Sequence, residues 1–359
     1  MPNSRIVFFT KYTRAGASSR YRTYQYLDAF RAAGLVCVVK PLFDEAYLVH
    51  KYRHGTASWL GAFSALVGRL CAVLTVPARS TVVVEYELLP YFPAVLERWL
   101  VFRGCRMLVD YDDALFHQYD QHGRAWVRRL LGGKIATVMR LAHTVVAGNE
   151  YLADYAKRAG ARRVEIIPTV IDLLRYPARQ QAHAQPVFTI GWIGSPSTAN
   201  YLYEIAPALA EFCARVPACV RLVGSGPVTL ADVPVELVAW QEHTEVDEIS
   251  AFEVGIMPLP DEPWARGKCG FKLIQYMACA VPVIASPVGV NAQFVKHGVN
   301  GFQASTVEQW LASLHDLYQD TELRQRLGAE GRQCVAQHYC LSVTTPIWLG
   351  LLDDARLGR

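Results

Sequence analysis

The feature that most constrains this chain is a recurring pattern: short, nearly unbroken apolar runs, each followed by a loop rich in glycine or charge and then by a helical stretch. Ile6 to Phe9, Leu35 to Val39, Thr81 to Val84 and Met107 to Val109 are such runs in the first half. Runs apolar at every position suit strands covered on both faces, and their alternation with helices predicts an α/β fold with parallel, doubly wound sheets. The opening reads as half a βαβ unit, with strand Ile6–Phe9, a Gly- and Ser-rich loop over 10–19 and a helix over Arg20–Ala33 ending at Gly34.

Near Asp172 the pattern gives way to DLLRYPARQQAHAQP, a polar stretch with two prolines that reads as a linker. A second alternating set follows. Strands are expected at Val187–Ile193, Val220–Val223, Val235–Ala239, Glu253–Pro258 and Val281–Ala285, with helices at Thr198–Arg215, Phe271–Ala280, Thr306–Gln319 and Thr321–His338. With 359 residues, the chain divides into two Rossmann-like domains, 1–175 and 176–345, facing across a cleft. A last helix at about 346–359 is expected to pack back on the first.

Composition narrows the class. Hydrophobic residues make up 52% and charged residues 19%, with a mean hydropathy of +0.13, which excludes a disordered chain. Residues 1–175 carry 24 Lys+Arg against 14 Asp+Glu and residues 176–359 carry 12 against 18, so the halves stand at +10 and −6. Unless that asymmetry is chance, the first domain meets something anionic, a phosphate-bearing acceptor or an acidic membrane surface. Nine scattered cysteines without a Cys-x-x-Cys argue against a disulfide framework or zinc site and fit a reducing cytosol. No basic and apolar leader precedes Arg5, so a cytoplasmic location is expected, with peripheral contact at the inner membrane face as an extension. Ser58–Val76 is nearly all apolar, but Arg69 in its middle favours a helix buried against the first sheet over a span.

Ligands of doubly wound sheets bind at the carboxyl ends of strands, so the loops there hold the candidate chemistry. After the first strand, Gly16, Ser18, Ser19, Arg20 and Arg22 could form an anion or acceptor site, or simply a serine-capped helix with two solvated arginines. Asp110-Tyr-Asp-Asp113 follows an apolar strand; its carboxylates repel unless a cation, sugar hydroxyls or a basic partner absorbs the charge. Asp112 and Asp113 are the catalytic candidates. His117 close behind reads as structural.

In the second half, Gly191-Trp-Ile-Gly194-Ser195 and Gly224-Ser-Gly226 form Gly-rich turns in consecutive βα units, a floor suited to a nucleotide diphosphate, with Ser195, Ser197 and Thr198 capping a helix. Lys268 and Lys272, four apart at a helix start, are placed unfavourably unless an anion is near. Trp240, just after the expected Val235–Ala239 strand, reads from the residues alone as a core or rim tryptophan.

The segment Gln275-Tyr-Met-Ala-Cys-Ala-Val-Pro-Val-Ile-Ala-Ser286, followed by Pro287-Val-Gly289, resembles the helix–strand–loop core of glycosyltransferase family 4, the "group 1" transferases of GT-B fold. Asn300-Gly301-Phe302 and Tyr339-Cys-Leu-Ser342 are similar to its tail, so the likeness spans most of residues 187–345. Ser18-Ser-Arg-Tyr-Arg22 and Asp110–Asp113 resemble segments of one branch.

The resemblance implies a retaining transferase with a nucleotide diphosphate sugar as co-substrate. Neither a cofactor nor a metal is implied, and no nucleic acid partner; the acceptor would be a glycan or lipid-linked molecule in surface polysaccharide or glycan biosynthesis. Lys268, Lys272, Gly194 and Ser195 would hold the donor phosphates, and Gln275, Gly224 and Trp240 the nucleoside. The family's two glutamates, eight apart, grip the donor sugar and the ribose; this chain has Gly267 and Gln275 there. Ser195 and Asn200 stand where the family has Arg and Lys, and Asp112 stands for its catalytic-side His. Those departures motivate two alternatives, a non-catalytic nucleotide-sugar-binding partner subunit and a sugar-nucleotide epimerase of the same fold. A dinucleotide oxidoreductase is disfavoured by the lack of a clean Gly-x-Gly-x-x-Gly with an acid about twenty residues on.

Overall fold

The structure, a computed structural model, describes residues 5–54, 59–178 and 187–357. The chain forms two compact units. One comprises residues up to Thr169 together with those from Ser342 onward, and the other Val170–Leu341.

The first unit contains a six-stranded sheet built from β1 (Arg5–Phe9), β2 (Val36–Val39), β3 (Thr81–Glu85), β4 (Arg106–Tyr111), β5 (Thr144–Ala147) and β6 (Val164–Ile166). Its order is β2-β1-β3-β4-β5-β6 and every pairing is parallel. All five β3 residues are buried, as expected for a strand covered on both faces. The order reverses between β1 and β3, which puts the loops after these two strands at the switch point. Sequence reading missed β5 and β6.

The expected Arg20–Ala33 helix is three pieces: Ala17–Arg22, a 3₁₀ turn at Tyr24–Tyr26 and Leu27–Ala32. Thr23, at φ −125° and ψ −60°, breaks it. Arg22 thereby aims at Asp110, while the Tyr26 hydroxyl meets Thr344 Oγ1 at 2.8 Å. Thr344 lies on the Leu341–Leu357 helix, which otherwise belongs to this unit; Arg163 holds it through Asp354 at 2.8 Å.

The apolar 58–76 segment is a helix over Trp59–Leu74. Arg69 is buried, donates to the Thr10 carbonyl, and lies 5.0 Å from the Phe9 ring centroid. A charge in the middle of the helix is thus used to dock it on the end of β1. No helix among the described residues is long and apolar enough to cross a membrane.

The second unit contains β7 (Phe188–Ile193), β8 (Ala218–Val223), β9 (Val235–Val238), β10 (Val254–Met257), β11 (Val283–Ala285) and β12 (Phe302–Gln303), in parallel order β12-β11-β10-β7-β8-β9. Its core joins Ile190, Trp192, Val220, Leu222 and Ile256 to helix residues such as Leu209, Phe212 and Leu314. Here the switch point lies between β7 and β10. The expected Thr198–Arg215 helix is also divided, into Pro196–Ala199, a 3₁₀ stretch Asn200–Ile205 and Ala206–Arg215. Pro207 accounts for the restart, because proline is best accommodated in the first turn of a helix. Most of the expected linker, residues 179–186, lies outside the described residues.

Candidate functional site

At the switch point of the first unit, three strand ends meet through side chains. Ser19 is fully buried; its hydroxyl bonds Glu85 Oε2 at 2.7 Å and accepts from the Tyr12 amide at 3.0 Å. The Lys11 amide also donates to Glu85, at 3.2 Å. Burial pushes the Glu85 carboxyl up to about 8, the Ser19 bond opposing this and Asp112 adding to it.

Tyr86 follows directly, with φ at +61°. A bulky residue in the left-handed region is strained and needs its surroundings to hold it. Its hydroxyl donates to Asp112 and sits 3.2 Å from Ser18 Oγ. Lys11 Nζ lies 5.2 Å from the Tyr86 ring centroid. Asp112, Ser18 and Ser19, read from the sequence as a catalytic acid and parts of a separate anion or acceptor site, are therefore brought together. Glu85 and Tyr86 join them unforeseen, although their position straight after an apolar strand was a legible signal.

Arg22 departs from its expected place in an anion site. It is buried, donates from Nε to Asp110 Oδ2 at 2.9 Å and from a terminal nitrogen to Oδ1, and also reaches the Ile167 carbonyl at 2.7 Å. Burial alone lowers the guanidinium's pKa, but Asp110 more than reverses that and holds it above its ordinary value. Arg22 is the basic partner that absorbs the first charge of the acidic run. Asp112 and Asp113, both half-buried, are the carboxylates left at the strand end.

Gly16 precedes the Ala17–Arg22 helix as its N-cap. Arg20 is buried, its guanidinium 4.9 Å from the Tyr21 ring centroid, so a solvated arginine is not what stands there. His117 is held between Tyr151 at 2.8 Å and Asp120 at 3.0 Å. Beside this strand edge a cavity of about 390 Å³ opens between the loop after β2 and the Trp59–Leu74 helix, lined among others by Phe43, Asp44, Tyr47, Ser64 and Ala65. The Phe43 and Tyr47 rings are stacked at 4.1 Å.

In the second unit the expected donor residues converge. Gly224, at φ +76°, is where a side chain would meet the Gly194 carbonyl oxygen at 2.5 Å and Trp240 Cβ at 3.0 Å. The turns after β7 and β8 thus approach backbone to backbone, with the Trp240 side chain of the loop after β9 beside them. A side chain at Gly194 would in turn strike Trp192 at 2.6 Å and Lys272 Cε at 2.7 Å. Lys272 Nζ rests 4.9 Å from the Trp192 ring centroid, a cation–π contact the sequence did not announce.

Lys268 and Lys272 do not share a helix start. The helix is Phe271–Ala278, preceded by Gly270 at φ +63°, where a side chain would also strike Phe294 at 2.8 Å. Lys268 is in the preceding loop, 5.7 Å from the Trp264 ring centroid. Ser195 caps the short Pro196–Ala199 turn without a side-chain cap bond and instead pairs with Ser197 Oγ at 2.9 Å.

Gln275 and Trp240 meet through a residue that sequence reading passed over. Glu245 is buried; its Oε2 accepts from Trp240 Nε1 at 2.7 Å, and its Oε1 from the Tyr176 hydroxyl at 2.7 Å and Gln275 Nε2 at 2.9 Å. Among the described residues no group of three or more His, Cys, Asp or Glu side chains is placed to hold a metal ion.

Residues 184–320 match the family model of the glycosyl transferases group 1, which bears out the resemblance read from the helix–strand–loop core. No curated protein sequence matches the chain. Among solved structures, the chain is similar to sucrose-phosphate synthase from Thermosynechococcus elongatus, at 18% identity and a TM-score of 0.72, covering 99% of this chain and 100% of that one. HepE of Anabaena, solved with UDP and glucose, matches at 16% identity and a TM-score of 0.71, covering 97% and 99%. The α,α-trehalose 6-phosphate synthase of Burkholderia multivorans matches at 11% identity and a TM-score of 0.67, covering 99% of each chain. These likenesses establish the GT-B fold.

Proposed function

We propose that the protein is a retaining glycosyltransferase that moves a sugar from a nucleotide diphosphate sugar to a glycan or lipid-linked acceptor in surface polysaccharide or glycan biosynthesis. The observation that carries this reading is the convergence of Gly194, Gly224, Trp240 and Lys272 at the switch point of the second unit. Close backbone approach with a lysine beside it suits a diphosphate, and an indole nearby suits a base. The family match over residues 184–320, and the UDP and glucose bound by HepE, support a nucleotide-sugar donor.

In this reading Lys272, Lys268, Gly194 and Ser195 stabilise the negative charge that grows on the departing diphosphate, without a metal. Gln275, Gly224 and Trp240 take the nucleoside. Asp112 and Asp113 are the carboxylates assigned to the oxocarbenium-like sugar, whose charge carboxylates stabilise electrostatically. Tyr86 holds Asp112 in place, and Ser18, Ser19 and Gly16 shape the acceptor side with Arg20. The stacked Phe43 and Tyr47 rings beside the 390 Å³ cavity suit an acceptor's sugar face.

Peripheral contact with the cytoplasmic face of a membrane is part of the proposal. It is supported by the positive charge of residues 1–175 and by Phe63, Val67, Leu70 and Leu74, which recur on the exposed face of the Trp59–Leu74 helix and are 64%, 44%, 39% and 48% accessible.

A second reading is favoured by one observation: at position 267 only backbone is available to grip a donor sugar. A binding subunit without turnover would follow. The test is a thermal-shift and hydrolysis screen against UDP-, GDP-, ADP- and TDP-sugars, repeated with Lys272→Ala. Stabilisation by one donor with slow release of its diphosphate, both lost in the variant, supports transfer. Stabilisation without release, with or without added glycan acceptors, supports the binding subunit, and no response to any donor overturns both.

A further inference from the structure

The chain has a glutamine where the resemblance places a ribose-gripping glutamate, and a primary amide is ambiguous: one end donates, the other accepts. A ribose hydroxyl can bond either. The surroundings of Gln275 remove that ambiguity. Both side-chain hydrogen bonds it makes among the described residues are donated by Nε2, to Glu245 Oε1 at 2.9 Å and, more weakly, to the Tyr176 hydroxyl at 3.5 Å.

Glu245 cannot reciprocate. Its Oε2 is occupied by the Trp240 indole N–H, which only donates, and its Oε1 by the Tyr176 hydroxyl. Both of its oxygens already accept from these donors, so an amide flipped to point its oxygen there would set acceptor against acceptor in a buried site, a costly arrangement. The Nε2 end is therefore the one that Glu245 holds, which leaves Oε1 as the end turned away from that carboxylate.

We propose that Glu245 is a positioning residue for the donor nucleoside: it locks the Gln275 amide so that Oε1 acts as the acceptor for a ribose hydroxyl, restoring with a glutamine the role of a carboxylate. Through the same carboxylate it ties that amide to Trp240, so ribose and base contacts are set together. The inference rests on the donor-site reading above and goes beyond it by assigning a residue, a polarity and a ligand group.

The test is calorimetric titration of the full chain with UDP, GDP and ADP, each beside its 2′,3′-dideoxy form. Wild type is expected to prefer the ribonucleotide at least about fivefold, the equivalent of one buried hydrogen bond. Glu245→Gln frees the amide to flip and should bring that preference close to one. The exchange variant Glu245→Gln/Gln275→Glu should recover it, which a merely structural role for Glu245 would not do.

Gln275→Met, which removes both ends of the amide, covers the case in which Glu245→Gln does not fold; it too should lose the preference. Retention of the ribose preference in Glu245→Gln or in Gln275→Met overturns the inference while leaving the donor site intact. Absence of binding by any of the three diphosphates to wild type overturns the donor site itself, and this inference with it.

Discussion

Arg22 and Asp110 form a buried bidentate ion pair across the first sheet's switch point, the guanidinium Nε and a terminal nitrogen each bonding one carboxylate oxygen. Removing one member leaves the other charged and desolvated, a loss of about 3–5 kcal/mol in comparable pairs. Arg22→Ala should therefore lower the unfolding free energy by that order and the urea midpoint with it, with Asp110→Asn costing less because the amide still accepts from Arg22. Urea unfolding of both variants checks this; a midpoint unchanged in Arg22→Ala would return the residue to a ligand-binding role.

Glu85 gives stability a definite pH dependence. Its carboxyl is held near 8 in the fold against an ordinary value of 4.5. Between those values the folded state binds a proton that the unfolded state has lost, so the group's contribution falls as pH rises through the window and levels off above about 8. The slope is at most about 1.4 kcal/mol per pH unit. Glu85→Gln should abolish it, so that the melting temperature of the variant gains on wild type between pH 5 and 8.5.

Asp112 is held by the strained Tyr86. Asp112→Asn should lower kcat by about 100-fold or more, in the range of lost electrostatic stabilisation, with donor affinity little changed. Tyr86→Phe keeps the carboxylate and loses its hydroxyl partner, so a smaller loss in kcat is expected. Steady-state kinetics with the donor found in the screen separates the two.

Two glycine substitutions should move in opposite directions. Gly224→Ala places a methyl group 2.5 Å from the Gly194 carbonyl oxygen at a positive φ, costing about 1–3 kcal/mol and closing the donor floor. Gly68 lies exposed inside the Trp59–Leu74 helix with open space around it, so Gly68→Ala should stabilise by about 0.5–1 kcal/mol. Thermal unfolding with and without donor reads both.

Membrane contact is tested by sedimentation with vesicles containing anionic lipid. Wild type should co-sediment, more weakly at high salt, and Phe63→Ser/Leu70→Ser should reduce binding at least about tenfold, since each exposed apolar side chain contributes about 1–2 kcal/mol on insertion. Full retention of binding in the variant would place the contact elsewhere.

The sequence alone determined the α/β class, the two sets of parallel strands and the loops that carry the chemistry, because strands covered on both faces must be apolar throughout and ligands gather where such strands end. It singled out Gly194, Gly224 and Asp112 from their places after those strands, and Lys272 from its spacing with Lys268 at an expected helix start. Tertiary structure decided what each side chain faces. Arg20 and Arg22 read as charges for a ligand, yet Arg22's partner lies 88 residues away, a pairing that local periodicity does not encode. Glu245 reads as an ordinary acid at a helix start, and only packing puts it between Trp240, Tyr176 and Gln275. Strand and helix follow from patterns within a few residues. The polarity of a site depends on which distant groups share a buried carboxylate, and that is settled only when the sheets assemble.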